Sequence, residues 1–454
     1  MAEFPSELLA TTQPLIGFYG LDLNIASHKA IYDSFNRSER PPIQYKIIPN
    51  NYEFPTKKPK RQSFEWYNPK HLIKKNWMLK YQHVVPSLIV VFIELEWKEP
   101  QWTEKQVQCS TVIQQLKSKL QDRQTRIALV LLHKTAPVLA SDDLIATERA
   151  SALANACEIN SKNLYVLPMS ENLIGYIVRL ESAFLELAQS FYIGMLKNYR
   201  SHQTTSQHLT LKVRHQFKMG FISELRQDFP TALKHYTQSY ANLENIRVVD
   251  TNCWEIKTIA GFINYKICRL MFKLNLPRDS ITQFKAHIEK YKSRTGFKEL
   301  TFEHHGWLSL QFSYFGEIFN EAVKNGLAAI QTQNPAIYYL KAAEHIYKRR
   351  EIFMQSNITT TDEISSPTLT SSMLYSDFFG VRNGNDRDQG ADQQIITLIR
   401  DVETKYNYSA VIINLLSQAM SQFKIYRCGR SRKKCAVMMA DEYFKCSEYT
   451  KALT

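Results

Sequence analysis

The sequence predicts an α/β domain over residues 1–200, doubly wound and about five-stranded, followed by an all-α, tetratricopeptide-like helical solenoid. Three observations predict this fold. Five short strand patterns alternate with helical patterns in the first 200 residues. Two of the strands are continuous apolar runs, which is typical of parallel strands covered on both faces. Beyond residue 209 the strand patterns largely vanish and helix follows helix to about residue 355.

The individual elements of the α/β domain follow from hydrophobic spacing. The predicted strands are 14–19, 43–48, 88–95, 127–132 and 164–167. The predicted helices between them are 24–35, 69–80, 103–120 and 144–157, and a last long helix begins at Ser170, a good N-cap, and runs to about Tyr199. Because strands and helices alternate, a parallel sheet with helices on both faces is the natural fold, here a Rossmann-like domain without a phosphate loop.

The helical part carries a weak repeated motif of an aromatic residue, a small residue and an apolar residue. Its copies lie at 228–236, 277–284, 319–323 and 448–453. Gly220 lies twelve positions before Ala232, and Ala440 lies twelve before Ala452. Small residues at such positions let neighbouring helices approach closely, which is the logic of tetratricopeptide repeats. A generic helical bundle is the alternative.

The domain boundaries follow from composition. A polar stretch at 201–208 predicts a linker, and helices are expected over 209–355 and 395–454. Between them, 356–394 is rich in Ser, Asn and Asp and predicts a disordered loop. Residues 440–454 fit the first helix and turn of a repeat whose second helix is missing, so we expect a chain truncated at its C-terminus, with its last helix exposed.

Composition narrows the class of protein. The 454 residues are 44% hydrophobic and carry 57 Lys+Arg against 43 Asp+Glu, a net charge of +14 that attracts acidic partners of any kind. No apolar run approaches the ~18–20 residues of a membrane span, and the N-terminus does not resemble a secretory signal. Seven scattered cysteines without a Cys-x-x-Cys pair indicate reduced thiols in the cytoplasm.

The positive charge is concentrated between residues 51 and 80 and in Arg427–Lys434. The first stretch predicts a docking surface for an acidic partner or bilayer, formed by Lys57, Lys58, Lys60, Arg61, Lys70, Lys74 and Lys75. A nuclear-import tract at 57–61 is a less favoured alternative. Basic residues interleaved with aromatics at 64–67 and 97–102 could also contact nucleic acid, but packing or a protein partner is favoured.

The sequence contains few motifs that are typical of nucleotide binding, catalysis or metal binding. Ile16-Gly-Phe-Tyr-Gly-Leu-Asp22 follows the first strand, where a phosphate loop would lie, but it has no Gly-Lys-Ser/Thr and no third glycine. We interpret it as a tight turn, with a nucleotide-binding switch or enzyme as the alternative function. The adjacent His304 and His305 point apart on a helix. No catalytic residue, cofactor or metal ligand is predicted, and the chain is expected not to be an enzyme.

Several segments resemble a known family. Phe64-Glu-Trp-Tyr-Asn-Pro-Lys70 and the segments 85–97, 99–105 and 146–157 are similar to the N-terminal part of the eleventh-subunit family of the trafficking protein particle (TRAPP) complex. Segments 214–218, 255–270 and 329–335 resemble its foie gras (gryzun) domain. The likeness covers nearly the whole chain and is weakest over 356–394.

The resemblance implies a function that the motifs alone do not give. It implies a non-catalytic scaffold subunit of a vesicle-tethering complex in ER-to-Golgi traffic, with a link to autophagy. The expected partners are the other TRAPP subunits, with no nucleic acid and no transmembrane segment. The expected location is the cytoplasm, peripheral on Golgi and cis-Golgi membranes. Members of the family are much longer, so the resemblance also implies that this chain is a fragment, an isoform or a truncated gene model.

Overall fold

The computed structural model describes residues 4–37, 42–56, 72–73, 76–121, 123–134, 144–169, 173–201, 208–330, 332–357 and 389–453. Its sheet has five parallel strands in the order β2-β1-β3-β4-β5. The strands are β1 Leu15–Tyr19, β2 Gln44–Ile48, β3 Leu88–Glu94, β4 Arg126–His133 and β5 Leu164–Pro168. Ile16 lies opposite Tyr45 on one side and Leu88 on the other. The predicted parallel sheet is confirmed, and each strand begins and ends within about a residue of its predicted bounds.

Helices cover both faces of the sheet. The helices of this part are α1 Ser6–Leu9, α2 Ala26–Phe35, α3 Trp77–Leu79, α4 Trp102–Leu120, α5 Leu144–Ala156 and α6 Leu173–Ser201. On one face, Phe18 and Val90 pack against α2 and α6. On the other, Ile89 and Leu129 pack against α4 and α5. Successive strand residues point to opposite faces, so the continuous apolar runs supply both layers.

The prediction of a helix over 69–80 is wrong within the described residues of that range. Leu72 and Ile73 lie in a bend, Asn76 has a left-handed φ of +57°, and only Trp77–Leu79 is α-helical before a π-helical turn at Lys80–Val84. A left-handed residue cannot continue a right-handed helix. Trp77 and its neighbour pack against the helical part of the chain instead of the sheet.

The remaining chain is helical, as predicted. Its helices are α7 Leu209–Leu225, α8 Phe229–Glu244, α9 Asp250–Lys273, α10 Pro277–Tyr291, α11 Thr301–Lys324, α12 Pro335–Asn357, α13 Gln389–Thr404, α14 Tyr408–Ile425, α15 Gly429–Lys445 and α16 Tyr449–Leu453. We call residues 13–201 the sheet region and residues 208–453 the helical region. None of the helices in the described ranges is long and apolar enough to cross a membrane.

One type of turn recurs between consecutive helices. A left-handed residue occurs at Gln227, Asn275, Gly326, Arg427 and Ser447. In each case the next N–H donates to a carbonyl five residues back, for example Asp228 to Ser223 at 2.9 Å and Glu448 to Tyr443 at 2.9 Å. This is the Schellman arrangement, which satisfies carbonyls left free at a helix end. The recurrence shows that the helices form a series of similar hairpins.

The repeated motif fits these turns only in part. Its copies at 228–236, 277–284 and 448–453 begin at or beside the helix that follows a turn, whereas 319–323 lies inside α11, before the turn. Gly220 approaches its neighbour closely, but the neighbour is the ring of Tyr236, 2.9 Å from the position of an added Cβ. The tetratricopeptide register stays a prediction.

The predicted loop 356–394 lies mostly outside the described residues, which exclude 358–388. At its edges the prediction differs from the structure. Helix α12 continues to Asn357, and α13 begins at Gln389 instead of residue 395. At the other end of the helical region, Phe444, Tyr449 and Leu453 are 64%, 54% and 89% exposed.

Candidate functional site: the sheet edge and the junction with the helical region

The first candidate site is the carboxyl edge of the sheet. In sheets of this strand order, ligands bind where β1 and β3 end, at the switch point of the topology. Gly20, just after β1, has a φ of +89°, and an added Cβ would lie 2.3 Å from the Phe92 carbonyl oxygen. Gly17 lies within β1, and its Cβ would meet the Ile48 Cδ1 at 2.2 Å. Both glycines of the suspected phosphate loop are therefore explained by close packing.

A buried histidine occupies the space beside this turn. The Nδ1 of His28 accepts a hydrogen bond from the Asp22 backbone N–H at 3.1 Å, and its Nε2 lies 3.1 Å from the Glu94 Oε1. Because Nδ1 accepts, the ring proton lies on Nε2 and is donated to the carboxylate. Two acidic side chains, Asp22 and Glu94, thus flank the position where a phosphate would sit. Their negative charge disfavours nucleotide binding at this edge.

The described residues give no support for a metal site or for a shared role of the adjacent histidines. Across the described ranges, no group of three His, Cys, Asp or Glu side chains is placed to hold a metal ion. His304 and His305 have separate partners, as the sequence indicated. His304 Nδ1 lies 3.2 Å from Lys257 Nζ, whereas His305 Nδ1 lies 3.1 Å from His345 Nδ1.

The predicted docking surface cannot be placed, because all seven of its residues lie outside the described part of the chain. The positions that flank it can. Phe54 is buried in the layer between the sheet and α4, whereas Leu72 is buried in the core of the helical region. Both backbone polar groups of Leu72 are hydrogen-bonded to the helical region. Its N–H donates to Glu255 Oε1 at 2.7 Å, and its carbonyl accepts from Arg214 Nε at 2.9 Å. The described residues on either side of the basic segment therefore belong to different hydrophobic cores.

The second candidate site is the junction itself. The N-terminal residues, predicted to belong to the α/β domain, pack on the helical region. The ring of Phe4 stacks on Tyr314 with 4.3 Å between centroids, and Arg269 donates to the carbonyls of Leu9 and Ala10 at 2.9 and 3.2 Å. Helix α6 also spans the junction, because Phe184 lies in the sheet core and Tyr192 in the helical core.

A buried polar network connects these elements. The Thr12 hydroxyl donates to Glu224 Oε1 at 2.8 Å, and the Tyr236 hydroxyl donates to Glu224 Oε2 at 2.9 Å. The ammonium of Lys266 lies 3.2 Å from both Thr12 Oγ1 and Glu224 Oε1. Four elements thus meet at one ion pair: the N-terminal segment, α7, α8 and α9.

The electrostatics of this network indicate a structural role. Burial opposes ionisation of Glu224, but Lys266 and the two hydroxyl donors outweigh it, so the pKa of this carboxyl is lowered. Burial lowers the pKa of Lys266, against the opposing effect of Glu224. The pair stays charged and neutralised, with its oxygens occupied by donors. Such a site can hold the junction together, but it has no free group for acid–base chemistry.

Sequence reasoning missed the junction, although the sequence carries a signal for it. Helix α9 is buried almost all round from Cys253 to Leu270, yet it contains Glu255, Lys257 and Lys266. Charged residues in a helix that is otherwise apolar on every face must find partners inside the protein. The pattern reveals that partners exist, but it does not say that Leu72 and Thr12 supply them.

Two family models match the chain. The model described as Foie gras liver health family 1 matches residues 252–454. The model described as the N-terminal domain of trafficking protein particle complex subunit 11 matches residues 59–174. The first covers most of the helical region, and the second covers strands β3, β4 and β5 with helices α4 and α5.

Curated relatives match along the full chain. The proteins named trafficking protein particle complex subunit 11 from Bos taurus and Homo sapiens are each 43% identical over 468 aligned residues, and that from Gallus gallus is 42% identical over 467. Each alignment covers 99% of this chain and 41% of the relative. The chain thus spans about two fifths of the length of these relatives. Together with the two family models, these alignments show that the chain belongs to the family of trafficking protein particle complex subunit 11, with its foie gras domain.

Proposed function

We propose that this chain acts as a non-catalytic scaffold in a TRAPP-type vesicle-tethering complex of ER-to-Golgi traffic, where it binds other subunits of the complex. One observation carries the proposal: 43% identity along 99% of the chain to proteins named as subunits of that complex. A role in autophagic traffic and a peripheral position on Golgi and cis-Golgi membranes, from the cytoplasmic side, are part of the same proposal.

The junction supports a scaffold role on physical grounds. A scaffold must keep its binding surfaces at fixed positions, whereas a loosely linked pair of regions would move. Here α6 is shared between both cores, and Thr12 reaches the buried Glu224–Lys266 pair. The sheet edge supports the same conclusion, since the carboxylates of Asp22 and Glu94 flank the position where a nucleotide phosphate would sit.

The basic segment is the proposed docking surface. Lys57, Lys58, Lys60, Arg61, Lys70, Lys74 and Lys75 lie in the connection between Phe54 and Trp77. The described residues on either side of it, Phe54 and Trp77, are buried in different cores. A cluster of like charges there favours an acidic surface of another subunit and raises the association rate through long-range attraction.

Affinity purification tests the proposal. The tagged chain, expressed in cells that contain the complex, should retain other TRAPP subunits, identified by mass spectrometry. Reversal of Lys57, Lys58, Lys60 and Arg61 to Glu should reduce their recovery. Four exposed lysines outside the segment, Lys29, Lys162, Lys197 and Lys285, reversed together, provide a control of equal charge change. Absence of every TRAPP subunit would overturn the scaffold proposal, and equal recovery with both variants would overturn the docking surface alone.

Calorimetry separates the scaffold from the alternative of a nucleotide-binding switch or enzyme. We expect no binding heat with GTP, ATP or NAD, because the carboxylates of Asp22 and Glu94 flank the switch point. Saturable heat that is lost on substitution of Gly20 would favour the alternative.

A further inference from the structure

A cleft lies between two turns of the helical region, away from the junction and the sheet edge. It forms where the loop between α11 and α12 approaches the turn between α14 and α15, and its volume is about 530 Å³. The lining residues are Ala329, Ile330, Thr332, Ile425, Tyr426 and Arg427. Neither family model nor the relatives' names assign a role to this position.

The walls of the cleft are apolar and open to water. Ile330 is 62% exposed and Ile425 is 65% exposed, although other isoleucines of these helices, such as Ile346 and Ile412, are fully buried. Removal of apolar surface from water is favourable, so two such side chains on facing walls favour a ligand that covers both.

The backbone of both walls is fixed before any ligand arrives. Ile330 and Gln333 exchange two backbone hydrogen bonds of 3.2 and 3.0 Å. On the other wall, Arg427 is the left-handed residue of a Schellman turn, and the Cys428 N–H donates to the Phe423 carbonyl at 2.9 Å. A preformed cleft loses little conformational entropy on binding, which favours affinity.

The chain that forms one wall of the cleft is strongly cationic. Arg427 lines the cleft, and four more exposed basic residues follow it within eight positions: Arg430, Arg432, Lys433 and Lys434. Within the described ranges, Lys434 alone of these forms an ion pair, with Glu344 at 3.0 Å. The other four charges are not neutralised by a carboxylate of the described residues.

The start of α15 increases this positive potential. The helix begins at Gly429, its first turn contains Arg430 and no acidic residue, and the side chain of the N-cap Cys428 makes no capping hydrogen bond. The N-terminal end of a helix carries partial positive charge, so cations there repel it and negative charge is stabilised. The positive potential beside the cleft therefore favours binding of an acidic ligand.

We propose that this cleft binds an acidic peptide segment of a partner protein, which places one large apolar side chain between Ile330 and Ile425 and carboxylates against Arg427 and Arg430. The volume of the cleft accommodates one large side chain, which favours a peptide over a bilayer. Among its described lining residues Tyr426 is the one aromatic side chain, whereas single-stranded nucleic acid binds through stacking of successive bases on several aromatic side chains. This binding site is independent of the basic segment at 57–75 and of the proposed scaffold function.

Peptide selection tests the proposal with the full chain. A library of random peptides is depleted on the Ile330→Asp/Ile425→Asp variant and then selected on the native chain. We expect the retained peptides to be rich in Asp and Glu around a single Leu, Ile, Phe or Trp. Retained peptides without excess acidic residues would overturn the proposal.

Binding of a selected, fluorescently labelled peptide then assigns the residues. Arg430→Glu/Arg432→Glu and Ile330→Asp/Ile425→Asp should each weaken binding by about tenfold or more, as loss of central contacts does. Val437→Asp, at 63% exposure and about two turns along α15 from Arg430, and Lys285→Glu are the controls and should leave affinity unchanged. All substituted positions are exposed, and thermal unfolding verifies that each variant folds.

Anionic vesicles and single-stranded RNA serve as competing probes. The proposal expects neither to displace the peptide at physiological salt, where weak surface attraction is screened. Displacement by phosphatidylserine vesicles or by RNA, lost in the same arginine variant, would assign the cleft to a membrane or to nucleic acid and overturn the peptide proposal. Equal peptide affinity in the cleft variants and the controls would also overturn it.

Discussion

The two regions of this protein are held together by different kinds of contact. The interior of the sheet region is mostly apolar, with Val90, Val91 and Leu129 fully buried between layers of helices, and its few buried polar side chains include His28 and Glu181. The interior of the helical region contains many charges, among them Glu224, Lys266 and Arg349. The difference indicates that an apolar pattern is enough to specify the sheet. A series of similar hairpins also requires buried charged contacts that specify the order in which the helices pack.

The buried charges of the helical region connect helices that are not simply paired in one hairpin. Arg349 of α12 bonds both Glu303 of α11, at 3.0 Å, and Glu403 of α13. Arg350 of α12 bonds Glu442 of α15 through two nitrogens at 2.7 and 2.8 Å. Because the hairpins share one turn type and pack through similar apolar side chains, many stacking orders would bury similar apolar area. We infer that the ion pairs select the native order, a role attested for buried polar groups in other folds.

Removal of Arg349 should lower the free energy of unfolding more than any other substitution considered for the helical region. Its guanidinium is 1% exposed, and Arg349→Met would remove the cation that pairs with the buried carboxylates of Glu303 and Glu403. A stranded buried charge typically costs about 3–5 kcal/mol, and we expect that loss in urea unfolding. The matched control is Lys434→Met, which removes an exposed ion pair with Glu344 and should cost less than about 1 kcal/mol.

A second variant separates charge from packing. Arg349→Met/Glu303→Gln/Glu403→Gln removes both stranded carboxylates and should recover part of the lost stability. If the single Arg349 variant unfolds no more easily than Lys434→Met, buried charge contributes nothing to the helical region and the contrast between the two regions disappears.

A glycine substitution tests how closely the hairpins are packed. At Gly220 in α7 an added Cβ would lie 2.9 Å from the ring of Tyr236, which is fully buried and held by Glu224. We expect Gly220→Ala to destabilise the protein by about 1–3 kcal/mol, as overpacking of a core does. Thermal unfolding measures the change.

The control is Gly429→Ala at the start of α15, where nothing lies within 4 Å of an added Cβ. It should be neutral or slightly stabilising, because alanine is the better helix former. A stabilising Gly220→Ala would mean that α7 and α8 can separate without loss, contrary to close packing of the hairpin.

The sequence predicted the sheet region well for a physical reason. A strand covered on both faces is a continuous apolar run, so β3 and β4 could be located from local composition alone. The interpretation of 16–22 as a tight turn also agrees with the close approach of Gly20 to Phe92. The error at 69–80 arose because an apolar spacing shows that Trp77 is buried but not which region covers it.

The candidate site was largely beyond sequence reasoning. Thr12 and Lys266 are 254 residues apart and meet only in the folded chain. Likewise, nothing local to Ile330 and Ile425 indicates that these two exposed isoleucines line the same cleft. The basic segment at 57–75 was visible as composition, but its geometry lies outside the described residues. The local sequence pattern therefore predicted the helices, the strands and the basic segment. The junction and the cleft depend on contacts between residues far apart in the chain, which a local pattern does not reveal.

Acid should weaken the protein through histidines of the helical region. His305 and His345 share one hydrogen bond between their Nδ1 atoms, at 3.1 Å, so protonation of both would place two cations in contact. Burial, the charge of His305 and the nearby Lys348 and Lys341 lower the pKa of His345 to about 4. An unfolded histidine has a pKa near 6.5, so between these values the unfolded chain binds more protons.

Stability from His345 is therefore complete above about pH 6.5 and falls as the pH drops towards 4, by about 1–2 kcal/mol between pH 7 and pH 5. Glu442 does not contribute to a loss in this window, since burial is outweighed by its hydrogen bonds with Arg350, Lys445 and Ser409, which lower its pKa to about 2. Urea unfolding of the native chain and of His345→Gln at both pH values isolates the effect, because glutamine keeps a polar group without titrating. The variant should lose less stability on acidification than the native chain. An equal loss would show that the histidine pair does not titrate in this window, and that the acid response of the two regions has another origin.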